Sequence, residues 1–255
     1  MPLLLVENLD GIRRLTLNHP EKRNALSRSL LQALADELAL IQNDQSVRIV
    51  ILRAPGSVFS AGHDLRELTG TSERENQELF ALCTRVMEGL RLLPQPVIAE
   101  VDGLATAAGC QLVASCDLVM ASDRASFATP GVKIGLFCTT PGVAVARAVM
   151  TKKALEMLFT GSRITAADAE RYGLVNHVVP STGLAEATLE LARQIMHASP
   201  SILALGKQAF YRQIVLDRPE AYCLAEKIMV ANLENPAAHE GITAFLEKRP
   251  PRWPK

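Results

Sequence analysis

Residues 96–141 read PVIAEVDGLATAAGCQLVASCDLVMASDRASFATPGVKIGLFCTTP, and the rest of the chain is organised around them. The opening run PVIAEV is nearly all apolar, the pattern of a strand buried on both faces, and it passes through Asp102-Gly103 into LATAAG. Five of those last six residues are Ala, Gly or Thr, and a short apolar helix follows. Small side chains let a second molecule approach the main chain, and the first N–H groups of a helix have no partner inside it. Such a corner suits an oxygen that carries negative charge. Close packing of two backbones is the other use of small residues.

A second copy favours the first use. Residues 60–65 read SAGHDL and residues 107–112 read AAGCQL, and each segment follows a strand, VRIVILRA and PVIAEV respectively. Two strand-to-helix corners converging on one ligand atom would form an oxyanion hole, which needs two donors about 3 Å from one oxygen.

Outward from these corners the chain reads as alternating strands and helices. Strands at 3–7 and 12–18 flank Asp10-Gly11 as a hairpin. A helix from Ser27 to about Gln42 carries Leu30, Leu31, Leu34, Leu38 and Ile41 at helical spacing. Strand 47–52 leads to the first corner, and a long helix spans about 72–93, ended by Pro94 and Pro96. Beyond the second corner come a strand at 117–121, helices at 141–150 and 152–159, a helix capped by Thr165 and a last strand, LVNHVV, at 174–179. From Leu184 the pattern is helical, with breaks expected at Pro200, Pro219 and Pro236. The expected organisation is an α/β body over 1–199 and a helical region over 200–255.

Composition excludes several classes. The 255 residues are 48% apolar and carry 27 basic and 27 acidic side chains, so no net field attracts nucleic acid or an anionic membrane. No window approaches the ~20 apolar residues of a membrane span. The five cysteines have no paired spacing and imply neither a disulfide framework nor zinc, which points to a reducing compartment and a soluble cytoplasmic protein. The histidines at 19, 63, 177, 197 and 239 lack metal spacing. Neither G-x-G-x-x-G nor G-x-x-x-x-G-K-[ST] occurs. Without a G-x-S-x-G elbow, Ser115 in VASCD reads as a buried hydroxyl bonded to backbone rather than as a hydrolase nucleophile.

The runs NHPEKRNAL (18–26), VFSAGHDLREL (58–68), DGLATAAGCQL (102–112), SFATPGVKIGL (126–136) and EGITAFLEKR (240–249) resemble the crotonase family, the enoyl-CoA hydratases and isomerases, in family order over nearly the whole chain. The resemblance implies a spiral of four ββα turns, a C-terminal helical trimerisation region, and trimers or hexamers. It implies acyl-CoA as the small-molecule partner, with no cofactor beyond the CoA of the substrate. It places the two oxyanion donors on the backbone N–H groups of His63 and Ala108, where they would stabilise a thioester enolate, an effect of about 3 kcal/mol per donor. The His63 side chain need not act. CoA contacts fall on Ser60, Ala61, Asp64, Leu65 and Arg66, with Lys22, Arg23 and Arg66 near the phosphates and Phe245 and Lys248 reaching CoA from the tail, in some relatives across a subunit boundary.

Two departures decide the chemistry. The hydratase glutamates match Gln111 and Gly131 here. Gln orients a water but takes no proton from it, and Gly offers no side chain, so paired general acid–base catalysis is lost at those positions. A positive φ at Gly131, after Pro130, would be a further obstacle to restoring the acid. No strong base replaces them in LFCTTP (136–141), where Cys138 reads as an inert buried thiol, while Asp64 reads as a helix-start carboxylate and Glu67 as a solvated charge. The readings left open are an acyl-CoA lyase or isomerase with low hydratase activity, an acyl-CoA-binding protein without catalysis, and an unrelated hydrolase.

Overall fold

The computed structural model describes residues 1–254. A hairpin joins β1 (Leu4–Leu9) to β2 (Ile12–Leu17), and its turn residues Asp10 and Gly11 adopt φ of 47° and 88°, the positive values a two-residue hairpin loop requires. Strands β3 (Ile49–Arg53), β4 (Val58–Ser60), β5 (Val97–Val101), β6 (Leu104–Thr106), β7 (Leu118–Ser122), β8 (Ser126–Ala128), β9 (Ile164–Thr165) and β10 (His177–Val179) follow. They form a six-stranded sheet in the order β1-β2-β3-β5-β7-β10 and a four-stranded sheet in the order β4-β6-β8-β9.

Helices α1 (Arg28–Gln42), α2 (Glu73–Leu92), α3 (Ala108–Ala114) and α4 (Thr139–Ala148) each follow a strand pair, which gives the four ββα turns. The last three turns send their first strand to the large sheet and their second to the small one, and neighbouring strands of successive turns pair parallel. The chain continues through α5 (Thr151–Thr160), α6 (Ala166–Tyr172), α7 (Leu184–Met196), α8 (Pro200–Gln213), α9 (Arg218–Leu233) and α10 (Pro236–Leu246).

The apolar run of β3 has a simple cause. Val50 and Leu52 face the main core with α1 and α2, whereas Ile49 and Ile51 face a second cluster completed by Ile12, Ile98 and Met120 and closed by Leu184 and Ala192 of α7. A sheet covered on both faces leaves no side for polar alternation.

Three local expectations are corrected and a fourth holds. The corners contain short strands, β4 and β6, that three residues of sequence are too few to reveal. Only the second corner opens an α-helix, because residues 65–67 form a 3-10 turn capped by Asp64. The last strand is His177–Val179, since Leu174 and Val175 are core residues at the end of α6, where Gly173 takes φ 94°. The breaks expected at Pro200, Pro219 and Pro236 are present, and each proline stands at N1 or N2 of the helix that follows its break, α8, α9 and α10.

Candidate functional site

The two corners interlock. A methyl built on Gly62 would stand 2.9 Å from the Ala107 Cβ and 3.1 Å from the Ala108 nitrogen, and one built on Gly109 would stand 2.4 Å from the Ser60 carbonyl oxygen. Only glycine permits either approach. His63, next to Gly62, and Ala108 therefore share one small volume of the molecule. Ala108 is the first residue of α3, and no backbone acceptor among the described residues takes its N–H or that of His63.

Ala107, just before the helix, has φ 51° and ψ −121°. For a residue with a Cβ this conformation costs roughly 1–3 kcal/mol and is held only where surrounding structure over-determines it. Here the Ala107 N–H donates to the Ala128 carbonyl at 2.9 Å, fixing the corner to the end of β8. The first corner is fixed from the other side. Ser60 Oγ donates to the Asn24 carbonyl at 2.8 Å and accepts from the Gly62 N–H, the Ala61 N–H donates to the Arg23 carbonyl, and the Leu26 N–H donates to the Gly62 carbonyl. Residues 19–26 thus form a buttress beneath residues 60–63.

Basic groups surround that buttress. Lys22 Nζ lies 4.0 Å from Asp64 Oδ2, and exposed Arg23 and Arg66 make no ion pair among the described residues. Asp64 Oδ1 accepts the Arg66 N–H at 3.1 Å, and Leu65 is half exposed. Glu67 is not merely solvated, because its carboxylate accepts the Arg28 N–H at the start of α1 at 2.7 Å. Phe245 and Lys248 lie at the far end of α10, which packs on α8 and α9. No hydrogen bond or ion pair ties their side chains to residues 60–66, and Phe245 is 82% exposed.

The His63 ring stacks edge-to-face on Phe80, with centroids 5.1 Å apart, and neither ring nitrogen has a hydrogen-bond partner among the described residues. Burial pushes its pKa below the ordinary histidine value, with the Leu26 backbone and Glu67 opposing, so the ring is neutral at neutral pH. No partner orients either ring nitrogen, and the ring lines the site by packing on Phe80.

At Gln111 and Gly131, where the resemblance puts two acids, the structure is specific. Gln111 is buried and its Oε1 accepts no hydrogen bond. Gly131 is not among the residues with positive φ; the barrier to a side chain there is steric. A Cβ on Gly131 would stand 2.8 Å from both the Cys138 sulfur and the Leu136 carbonyl oxygen. The Cys138 thiol fills this space, accepting the Gly131 N–H at 3.3 Å, and burial raises its pKa. Ser115 donates its hydroxyl to the Gln111 carbonyl, a backbone bond with no histidine partner.

Sequence reasoning passed over Thr129. A threonine before the proline that opens the 3-10 turn Pro130–Ile134 looks like a cap, yet its hydroxyl caps nothing and is fully buried without a partner. From Gln111 a cavity of about 530 Å³ extends along α3 between α2, α4 and α8, lined by Met87, Val113, Val143 and Ala144 among others.

Comparison with known proteins agrees with this architecture. The enoyl-CoA hydratase/isomerase family model matches residues 7–255. Human enoyl-CoA hydratase domain-containing protein 3, a mitochondrial protein, is 52% identical over 96% of this chain and 81% of its own length. Its Xenopus laevis counterpart is 49% identical over 99% of this chain and 86% of its own. Among solved structures, an enoyl-CoA hydratase of Mycobacterium smegmatis superimposes with a TM-score of 0.97 at 47% identity, covering 99% of both chains. The human domain-containing protein 3 superimposes at 0.96 with 50% identity, covering 98% of this chain and 100% of its own. The mitochondrial relatives give no support to a cytoplasmic location, and no helix among the described residues is long and apolar enough to cross a membrane. The chain belongs to the enoyl-CoA hydratase/isomerase family.

Proposed function

We propose that this chain binds acyl-CoA thioesters, holding the thioester carbonyl between the His63 and Ala108 N–H groups and stabilising the enolate that forms when charge moves onto that oxygen. The observation that carries the reading is the interlock of Gly62 with Ala107 and Ala108, which brings two corners with unspent N–H groups together. Lys22, Arg23 and Arg66 supply cations for the CoA phosphates, residues 60–66 run along its adenine and pantetheine, and the cavity beyond Gln111 gives the acyl chain room. Phe245 and Lys248 complete the site from a neighbouring copy in a trimer or hexamer built through the 200–255 region. The chemistry needs no cofactor other than the CoA of the substrate.

The reaction is of the lyase or isomerase type, with hydration weak. Two uncharged groups, Gln111 and the Cys138 thiol that fills the space at Gly131, stand where a hydratase needs two carboxylates. The same observation favours the second reading, an acyl-CoA-binding protein without turnover. Titration calorimetry with crotonyl-CoA separates both from a wrong ligand class: binding is expected, and Ala108→Pro, which removes a donor and distorts the corner, should abolish it. No heat and no thermal shift at millimolar ligand would refute the reading. Crotonyl-CoA hydration should run roughly 10²–10⁴ below that of a two-carboxylate site. A normal rate would show that another base is at work.

A further inference from the structure

We infer that a groove at the end of the large sheet opposite the two corners is a second ligand site, and that it takes an adenine nucleotide. The groove has a volume of about 1150 Å³ and lies between the loop 42–48, residues 94–96, the starts of α8 and α10, and Trp253. Arg48 and Pro96 come just before β3 and β5, whereas the corners follow the far ends of those two strands. The length of the sheet therefore separates the groove from the candidate acyl-CoA site, and the inference does not depend on that reading.

One end of the groove is built for an anion. Arg48 donates from Nη2 to the carbonyls of Met196 and Ala198 at 2.6 and 2.8 Å, which fixes its guanidinium beside the start of α8. Its Nε is buried without a partner, and Asp44, the one carboxylate among the residues lining the groove, is held by Arg13 and Ser46 instead. Helix α8 has no side-chain cap: the hydroxyls of Ser199 and Ser201 bond to each other at 3.0 Å, and the N–H groups of Ser201 and Ile202 meet no acceptor among the described residues. A fixed cation and an uncapped helix start together suit a phosphate.

The other end calls for a hydrogen-bond donor. Gln95 lines the groove and is only 8% exposed. Its Nε2 donates to the Ile41 carbonyl at 2.9 Å, so Oε1 is the free end, and that oxygen has no partner. Buried polar atoms are nearly always paired, and the flanking Pro94 and Pro96 carry no N–H to offer it. Trp253, whose indole N–H goes to the His197 carbonyl, adds an aromatic wall. Lys207 of α8 donates to the Gln95 carbonyl at 3.0 Å and Ser201 precedes it by six residues, so the two ends stand about 9 Å apart along the helix. A nucleoside monophosphate spans a comparable distance from its phosphate to the far edge of its base. Adenine carries an amino group at that edge, a donor for Gln95 Oε1, whereas hypoxanthine carries an oxygen that would leave Gln95 unpaired. No nucleotide motif marks the groove in the sequence, because its parts come from separate segments of the chain.

The test is titration calorimetry of the full chain with AMP, IMP and adenosine. AMP should bind with a Kd below about 1 mM, and IMP and adenosine at least about tenfold more weakly, the first for want of the amino group and the second for want of the phosphate. Ser201→Asp places a carboxylate in the first turn of α8, where the helix dipole favours it, so the variant should melt no lower than the parent while losing at least about tenfold in AMP affinity. Its affinity for crotonyl-CoA should stay that of the parent. Ala204→Leu, which fills the groove between its two ends, supplies an independent variant with the same expected loss. No binding heat at millimolar AMP would overturn the assignment, as would equal affinity for AMP and IMP. AMP binding that both variants leave unchanged would overturn it too. So would parallel loss of AMP and crotonyl-CoA in Ser201→Asp, which would put AMP in the acyl-CoA site.

Discussion

Gly131 shows what one absent side chain does when the fold has closed over it. Restoring the acid is not a matter of adding a carboxylate to an empty space, since the first carbon already meets the Cys138 sulfur and the Leu136 carbonyl oxygen at 2.8 Å. Gly131→Glu should destabilise the protein by about 1–3 kcal/mol, the usual cost of overpacking. Gly131→Glu with Cys138→Ala should recover part of the loss, the backbone oxygen remaining in the way. Urea unfolding of the two variants against the parent checks this, and a Gly131→Glu protein as stable as the parent would show that the 130–138 segment repacks freely. That Gln111 and Gly131 stand where the resemblance puts two acids was read from motifs in fixed order. The thiol in their place was not, because Cys138 reaches Gly131 across a turn that only the fold closes. The strained φ of Ala107 was equally hidden, since alanine gives no hint of a conformation its own side chain opposes.

Among the elements, those with a strong local signal matched their reading, and those made by tertiary pairing did not. Helix α1 begins at the Ser27 cap and buries Leu30, Leu31, Leu34, Leu38 and Ile41, the stripe its spacing predicts. Helix α2 opens on a capping box between Ser72 and Glu75. By contrast β4, β6 and β8 have three residues each and exist because successive turns of the spiral lay them side by side. The docking of α8 was also invisible, although two of its side chains, Lys207 and Tyr211, tie it to the body. Lys207 Nζ, almost wholly buried, donates to the carbonyls of Leu90 and Gln95 and lies 2.6 Å from Asp117 Oδ2, while the Tyr211 hydroxyl donates to Asp117 Oδ1. Burial pulls the Lys207 pKa down and Asp117 opposes it. Lys207→Met should cost about 3 kcal/mol, toward the lower end for breaking a buried pair, because Asp117 keeps the Val97 N–H and the Tyr211 hydroxyl. Adding Asp117→Asn should return some of that loss. Equilibrium unfolding of the single and double variants measures both, and a single variant within 0.5 kcal/mol of the parent, an order-of-magnitude threshold for a silent surface change, would reject the latch.

For the whole molecule the open question is what covers the helices after α7. Neither α8 nor α9 buries a single residue fully, although the two helices carry Phe210, Tyr222, Met229 and Val230, and the turn between them Ile214 and Val215, on exposed surface. Exposure continues on α10 at Ile242, Phe245 and Leu246 and on the body at Phe137, Val143 and Phe159. A single chain gains nothing from holding this much apolar surface in water, and contiguous patches of this kind mark sites of association. The surface belongs to one chain type and lies on both the body and the tail, so a closed ring of identical copies, tail against neighbouring body, satisfies each copy equally and leaves no unpaired end. Light scattering at micromolar protein should therefore give three or six times the 27.7 kDa of one chain. Met229→Glu with Val230→Glu, both on exposed positions of α9, should lower the mass toward that of a monomer, because two carboxylates on each tail would have to be desolvated in every interface. The same variant should keep its far-ultraviolet circular dichroism, since neither side chain is buried within its own chain. A parent protein that scatters as a clean monomer would refute the assembly and, with it, the completion of each acyl-CoA site by Phe245 and Lys248 of a neighbour.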